Sequence, residues 1–170
     1  MAIHLIIDGY NLIRQSPWLG PLDAEDLEAG REALISCLAD YRRKRPGHLI
    51  TLVFDGWQGG SPWESRDLRQ GIRVVYSRRG ERADEVIKRL LHREKARAVL
   101  VSSDRELKTA ADQVGAVWVS ASEFESRYLH PPMTVGEPEE ELEPGRPEKK
   151  GPARRLKKSL RRKQLRLRKL

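Results

Sequence analysis

The sequence predicts an α/β fold: a mainly parallel central sheet with helices on both faces, followed by a disordered basic C-terminal tail. Three observations carry that reading. Short apolar runs rich in β-branched residues alternate with stretches of helical periodicity, the pattern of β-α-β units. The runs are apolar at successive rather than alternate positions, as in strands covered on both sides. The composition then changes near His130, where proline, an acidic stretch and a Lys/Arg run replace the mixed body.

Each element follows in order. Ile3–Ile7 reads as the first buried strand and stops at Asp8. Asp23 is placed to cap a helix to about Arg45, with Leu27, Leu34, Leu38 and Tyr41 on one side and Pro46-Gly47 as the stop. Leu49–Phe54 is a second strand, ending at Asp55. The stretch 56–71, with Gly56, Gly59, Gly60, Pro62 and Gly71, reads as a long surface loop. Ile72–Tyr76 is a third strand. Glu81–Glu94 reads as a helix whose buried stripe is Val86, Ile87, Leu90 and Leu91. Ala98–Val101 is a strand, Asp104–Val114 a helix, Val117–Val119 a strand and Ser120–Leu129 a last helix. The domains expected are 1–130, an α/β body large enough for one core; 131–150, an acidic Pro-rich linker; and 151–170, a basic, conditionally helical tail.

Of the 170 residues, 38% are hydrophobic and 34% charged. Residues 1–135 carry 20 basic and 19 acidic side chains, and 136–170 carry 13 and 6, so the formal charge of +8 resides almost entirely in the tail. No run of 18 apolar residues exists, which argues against a membrane helix. The N-terminus lacks the basic start of a secretory signal, and the single Cys37 cannot build a disulfide framework, so a cytoplasmic protein is expected. Several chemistries are disfavoured. No Gly-x-Ser-x-Gly, Gly-x-Gly-x-x-Gly or Walker-type motif is present, and His4, His48, His92 and His130 lack metal-ligand spacing.

The informative pattern is where the acids fall. Asp8, Asp55 and Asp104 each follow a strand, and Asp84 opens the helix after the third strand. Parallel strands present their C-terminal ends at one edge, where ligands of open α/β sheets bind. Any one of these acids is explained by helix capping or a turn. Together they form a repelling cluster that a hard cation neutralises, which suits Mg²⁺ or Mn²⁺. Asn11 lies three residues past Asp8, and Gly9 between them permits a sharp turn that would bring its side chain back.

These residues resemble a known family. Ile7-Asp8-Gly9-Tyr10-Asn11, Val53-Phe54-Asp55-Gly56, Gly80-Glu81-Arg82-Ala83-Asp84-Glu85 and Val101-Ser102-Ser103-Asp104-Arg105-Glu106 occur in the order of the NYN domains, nucleases of the PIN-like fold, with a layout similar to the YacP-like branch. The resemblance covers about residues 1–130 and does not reach the tail. It implies an Mg²⁺- or Mn²⁺-dependent endoribonuclease cleaving single-stranded RNA. Asp8, Asp84 and Asp104 would hold metal, Asn11 would assist catalysis, and Asp55, Glu81 and Arg105 would surround them. That branch includes a ribosome-associated nuclease acting on translated mRNA, which implies the ribosome as a partner.

An RNA surface is expected where arginines and aromatics mix: Trp57, Trp63, Arg66, Arg69, Arg73, Arg78 and Arg79. For each Trp a core lid is the equal alternative. In the tail, Arg154, Arg155, Lys157, Lys158, Arg161, Arg162 and Lys163 would form a basic helix on RNA, with ribosomal RNA the natural candidate, or else a solvated run; no membrane partner is expected, since no Trp or Phe anchors it. Two rivals remain: a non-catalytic RNA- or ribosome-binding factor on the same fold, and a DNA-directed 5′ nuclease, which the short body disfavours.

Overall fold

The computed structural model describes residues 2–56, 61–129, 165–166 and 168–170. The chain divides into two units, Met1–Pro131 and Pro132–Leu170. In the first, the elements run β1 (His4–Asp8), α1 (Gly9–Gln15), α2 (Leu19–Glu25), α3 (Leu27–Lys44), β2 (Leu49–Phe54), β3 (Ser65–Arg69), β4 (Ile72–Tyr76), α4 (Ala83–Glu94), a 3-10 turn (Lys95–Arg97), β5 (Ala98–Val101), α5 (Arg105–Val114), β6 (Val117–Val119) and α6 (Ala121–Tyr128). In the second, Leu165 and Arg166 are helical; the linker and the basic residues 154–163 lie outside the described residues.

The strands form one six-stranded sheet in the order β3-β4-β2-β1-β5-β6. Every pairing is parallel except that of β3 with β4. Strand residues alternate faces, and paired residues share a face. The register therefore sets His4, Ile6 and Asp8 on the same side as Thr51 and Val53, Arg73 and Val75, and Leu100. Helices α4 and α5 cover that side, with Val86, Ile87 and Leu91 of α4 and Leu107 and Ala111 of α5 in a core with Ile6, Val53 and Leu100. The opposite side carries Leu12 and Ile13 of α1, Leu34, Ile35 and Leu38 of α3 and Phe124 of α6, all essentially fully buried. Each such side chain is worth about 1.5–3 kcal/mol against exposure. The expected α/β sandwich with a mainly parallel sheet is the observed one.

Three local expectations are corrected. The helix expected from Asp23 to Arg45 is two helices that meet at Asp26, whose extended backbone (φ −152°) breaks the run and whose Oδ1 caps α3 on the Glu28 N–H at 2.9 Å. Asp23 lies inside α2. A short helix, α1, fills the segment after Asp8. The stretch 56–71 is not all loop: Ser65–Arg69 pairs antiparallel with β4 through the two-residue turn Gln70-Gly71, both at positive φ (50° and 80°) as hairpins favour. This strand lies at the sheet edge and is mostly solvent-exposed, so its polar sequence carries no apolar signal.

Candidate functional site

The parallel strands β1, β2, β4, β5 and β6 deliver their C-terminal ends to one rim; Asp8, Asp55 and Asp104 stand at or just after strand ends, and Asp84 in the first turn of α4. Asp8 is the last residue of β1 and the N-cap of α1. It is 9% exposed. Its Oδ1 accepts the Asn11 backbone N–H at 3.4 Å and its Oδ2 accepts the Ser102 hydroxyl at 3.3 Å, both long for hydrogen bonds. Burial, then the charges of Asp84 and Asp55, push its pKa up to about 6 against these two donors. Gly9 makes no sharp turn; it begins α1. A Cβ there would lie 2.3 Å from the Phe54 ring, so α1 can start this close to β2 only with glycine.

Asn11 does not turn its side chain back to Asp8. Its Oδ1 accepts the Ser103 N–H at 2.8 Å, tying the first motif to the loop before α5. In that loop Asp104 caps α5, Oδ1 accepting the N–H groups of Glu106 and Leu107 at 2.7 and 3.1 Å. Asp55 performs the equivalent task across the rim: its Oδ1 accepts the Ala83 N–H at 2.6 Å and holds the first turn of α4 against the end of β2. That contact brings Asp84 over the site. Asp84 is raised by burial and by the charges of Asp104 and Asp55, with the Arg82 guanidinium, 2.7 Å from Oδ2, opposing them.

Ser102 is the site residue that sequence reasoning missed. Its hydroxyl is fully buried, donates to Asp8 and accepts the Asp104 N–H at 3.1 Å, so it stands between two of the acids. The available signal was a serine between a fully apolar strand and an aspartate, within the last of the four motifs.

The geometry therefore joins the four aspartates electrostatically: Asp84 and Asp55 raise the pKa of Asp8, and Asp104 and Asp55 raise that of Asp84. Among the described residues, no group of three or more His, Cys, Asp or Glu stands close enough to hold an ion. Mg²⁺, however, is commonly bound through one or two carboxylates, with waters and substrate phosphate completing its shell. The donor chemistry at Asp8 and Asp84 fits such an ion: two hard carboxylates whose mutual repulsion a divalent charge would relieve.

The surrounding candidates separate. Glu81 is engaged by Arg89 and Arg78, and its pKa is lowered mainly by Arg89. Arg105 opens α5 and is exposed. Trp63 is 77% exposed, so it is not a core lid. Arg66 pairs with Glu64, while Arg69 pairs with Glu32 of α3 on the other side of the sheet. Arg79 donates its backbone N–H to Ser61 across the loop. Trp57 lies outside the described residues, as do Arg154, Arg155, Lys157, Lys158, Arg161, Arg162 and Lys163. No described helix is long and apolar enough to cross a membrane.

The family model of the YacP-like NYN domain matches residues 5–169, so the likeness continues past residue 130 into the tail. The chain is 33% identical over 86 residues to the uncharacterized protein YacP of Bacillus subtilis (strain 168), covering 51% of this chain and 49% of that protein; it thus spans about half the length of that relative. Two crystal structures of Rae1 (YacP) from Bacillus subtilis are similar. One, of a point mutant, has a TM-score of 0.61 at 28% identity over 74% of each chain. The other has a TM-score of 0.60 at 30% identity over 75% of this chain and 74% of that one.

Proposed function

The chain belongs to the YacP-like NYN domain family, and from that premise we propose that it is an Mg²⁺- or Mn²⁺-dependent endoribonuclease, a phosphodiester hydrolase acting on single-stranded RNA. Membership places it among nuclease-type, RNA-related proteins. The observation that supports the finer reading is the convergence of four aspartates on one rim, with Asp8 buried and its pKa raised to about 6. Capping accounts for Asp8, Asp55 and Asp104 one at a time, whereas a cation site accounts for their gathering with Asp84 despite the repulsion.

Asp8 and Asp84 would hold the metal, with Asp104 beside them. When bound, the ion would polarise the scissile phosphate and lower the pKa of a water. The chain's own residues do the rest. Ser102 and Asn11 lock Asp8 to the Asp104 loop, and Asp55 locks α4 so that Asp84 stays in place. Without an ion Asp8 is half ionised near pH 6, where protons compete with the cation for it, so activity falls as the medium is acidified through that value. Exposed Trp63 and the arginines around the 77–82 loop, Arg78 and Arg79 among them, supply stacking and phosphate contacts for RNA.

The test is cleavage of labelled single-stranded RNA with and without Mg²⁺ or Mn²⁺, wild type against Asp8→Asn. A loss of about a thousandfold or more in a folded variant is expected; full metal-dependent activity in Asp8→Asn overturns the assignment. The same assay separates the second reading, a non-catalytic RNA- or ribosome-binding factor, which the lack of a three-ligand group among the described residues favours. That protein would bind RNA and leave it intact. The resemblance extends the proposal to mRNA on cytoplasmic ribosomes, with ribosomal RNA meeting the tail. Deleting 136–170 is expected to weaken co-sedimentation with ribosomes; unchanged co-sedimentation refutes the role of the tail.

A further inference from the structure

Two cavities of about 690 Å³ each meet at one arginine. The first surrounds the loop before α4, with Arg78, Arg79 and Arg82, beside the turn that carries Asp84. The second is a groove between α4 and the β3–β4 hairpin, with Arg66, Arg73 and Arg93 along it. Arg89 borders both. The register of the sheet explains the placement. Arg66 and Leu68 of β3 pair with Val75 and Arg73 of β4, so all four face the α4 side, the side on which Asp8 stands. Arg89 and Arg93 are four residues apart and share one stripe of α4.

The charges in and beside this groove are held but not balanced. Glu64 is shared by Arg66 and Arg89, each at 2.7 Å. Glu81 is shared by Arg89 and Arg78, and Glu94 by Arg93 and Arg97. Three carboxylates thus meet five guanidinium groups, and Arg73 adds another positive charge. Asp67 also borders the groove, but its register lies on the other face and its Oδ1 accepts the Leu68 N–H. Exposed pairs of this kind add little stability. They do fix the arginines in place, which lowers the ordering cost of a later anionic contact. Between them, Leu68 (68% exposed) and the partly buried Leu90 leave apolar surface open.

We propose that this groove seats the stretch of single-stranded RNA flanking the scissile phosphate, with phosphates on Arg89, Arg93, Arg73 and Arg66 and base faces against Leu68 and Leu90. The inference rests on the nuclease reading and gives the strand its path. A polyanion suits the surplus of guanidinium groups, and at Arg89 the groove adjoins the cavity along the 78–82 loop, which leads into the first turn of α4 where Asp84 stands. From Asp84 to Arg93 the helix rises about 14 Å, the length of about four stacked nucleotides at ~3.4 Å each. Substrate affinity is therefore length-dependent.

The experiment measures binding by fluorescence anisotropy in the full chain carrying Asp8→Asn, so that RNA is not consumed, with labelled oligonucleotides of about four and about twelve nucleotides. Adding Arg73→Gln with Arg93→Gln is expected to weaken the long RNA by about tenfold, to reduce the salt slope by about 1–2, and to leave the short RNA within about twofold. Leu68→Glu, on the exposed edge strand, is expected to act in the same direction and guards against a folding defect at Arg93. Equal affinity for the long RNA in all variants, or equal losses at both lengths, overturns the groove while the nuclease reading stands. If the protein with its groove intact binds neither length, and wild-type chain cuts neither, both readings fall.

Discussion

Strand β1 carries an ionisable residue at each end of the same face, and the two ends are built in opposite ways. At the N-terminal end His4 is buried, bonded to Thr51 at 2.7 Å, with Nδ1 lying 3.4 Å from Glu94, an electrostatic contact short of hydrogen-bond geometry. At the C-terminal end stands Asp8. Asp8 is buried, 9% exposed, whereas Glu94 is half-buried. Burial pushes both pKa values up. At Glu94 the Arg97 and Arg93 guanidinium groups outweigh it and bring the pKa down to about 2. At Asp8 the neighbouring charges are Asp84 and Asp55, and the pKa stands at about 6. Deep burial with like-charged neighbours raises Asp8; shallower burial with paired guanidinium groups lowers Glu94. One end of the strand is electrostatically closed; the other holds a charge deficit that a cation can fill.

That contrast can be broken by removing charge at either end. Asp8→Asn is expected to stabilise the protein at pH 7, by up to about 3 kcal/mol from a shift of roughly two pH units. The sign follows from protons: between about pH 4 and 6 the native state holds a proton that the unfolded chain has released, so wild-type stability falls as pH rises through that window. Urea titrations at pH 4 and pH 7 check it, with the gain present at 7 and absent at 4; a destabilised Asp8→Asn breaks the comparison. Glu94→Gln is expected to do the reverse, losing about 1–2 kcal/mol at pH 7, since its lowered pKa contributes stability above about pH 4.5 that disappears as pH falls towards 2. A Tm unchanged by this substitution would show that the arginine cage is ornamental. The smallest effect sharpens the comparison directly: Mg²⁺ at ten times its Kd should stabilise wild type by about 1.4 kcal/mol, and Asp8→Asn much less. Equal thermal shifts would place the ion elsewhere.

Much of the fold was legible because burial leaves a trace in composition. Strands β2, β4, β5 and β6 coincide with the apolar runs that announced them, and β1 differs by one residue at each end. Helices α5 and α6 begin where Asp104 and Ser120 cap them. Strand β3 was not legible, since an exposed edge strand such as Ser-Arg-Asp-Leu-Arg needs no apolar face. The break at Asp26 was missed because Asp23 and Asp26 are equally suitable N-caps by residue type, and only the backbone shows which one caps α3. At the site, chain direction alone brought the four aspartates to one rim. The backbone anchors of Asp55 and Asp104, the buried Ser102 between Asp8 and Asp104, and the turn of the Asn11 side chain to Ser103 are contacts between segments 28 to 94 residues apart or local cap geometries, and periodicity carries no information about them.

The sequence by itself determined which residues are apolar, which strands run parallel, and hence which edge collects the acids, because these depend on local pattern and chain direction. Only the tertiary structure decided that Asp8 carries an uncompensated charge while Glu94 does not, and that arginines from α4, β3 and β4 share one groove. Those properties depend on distances across the sheet and on exclusion of water, which no stretch of sequence specifies alone.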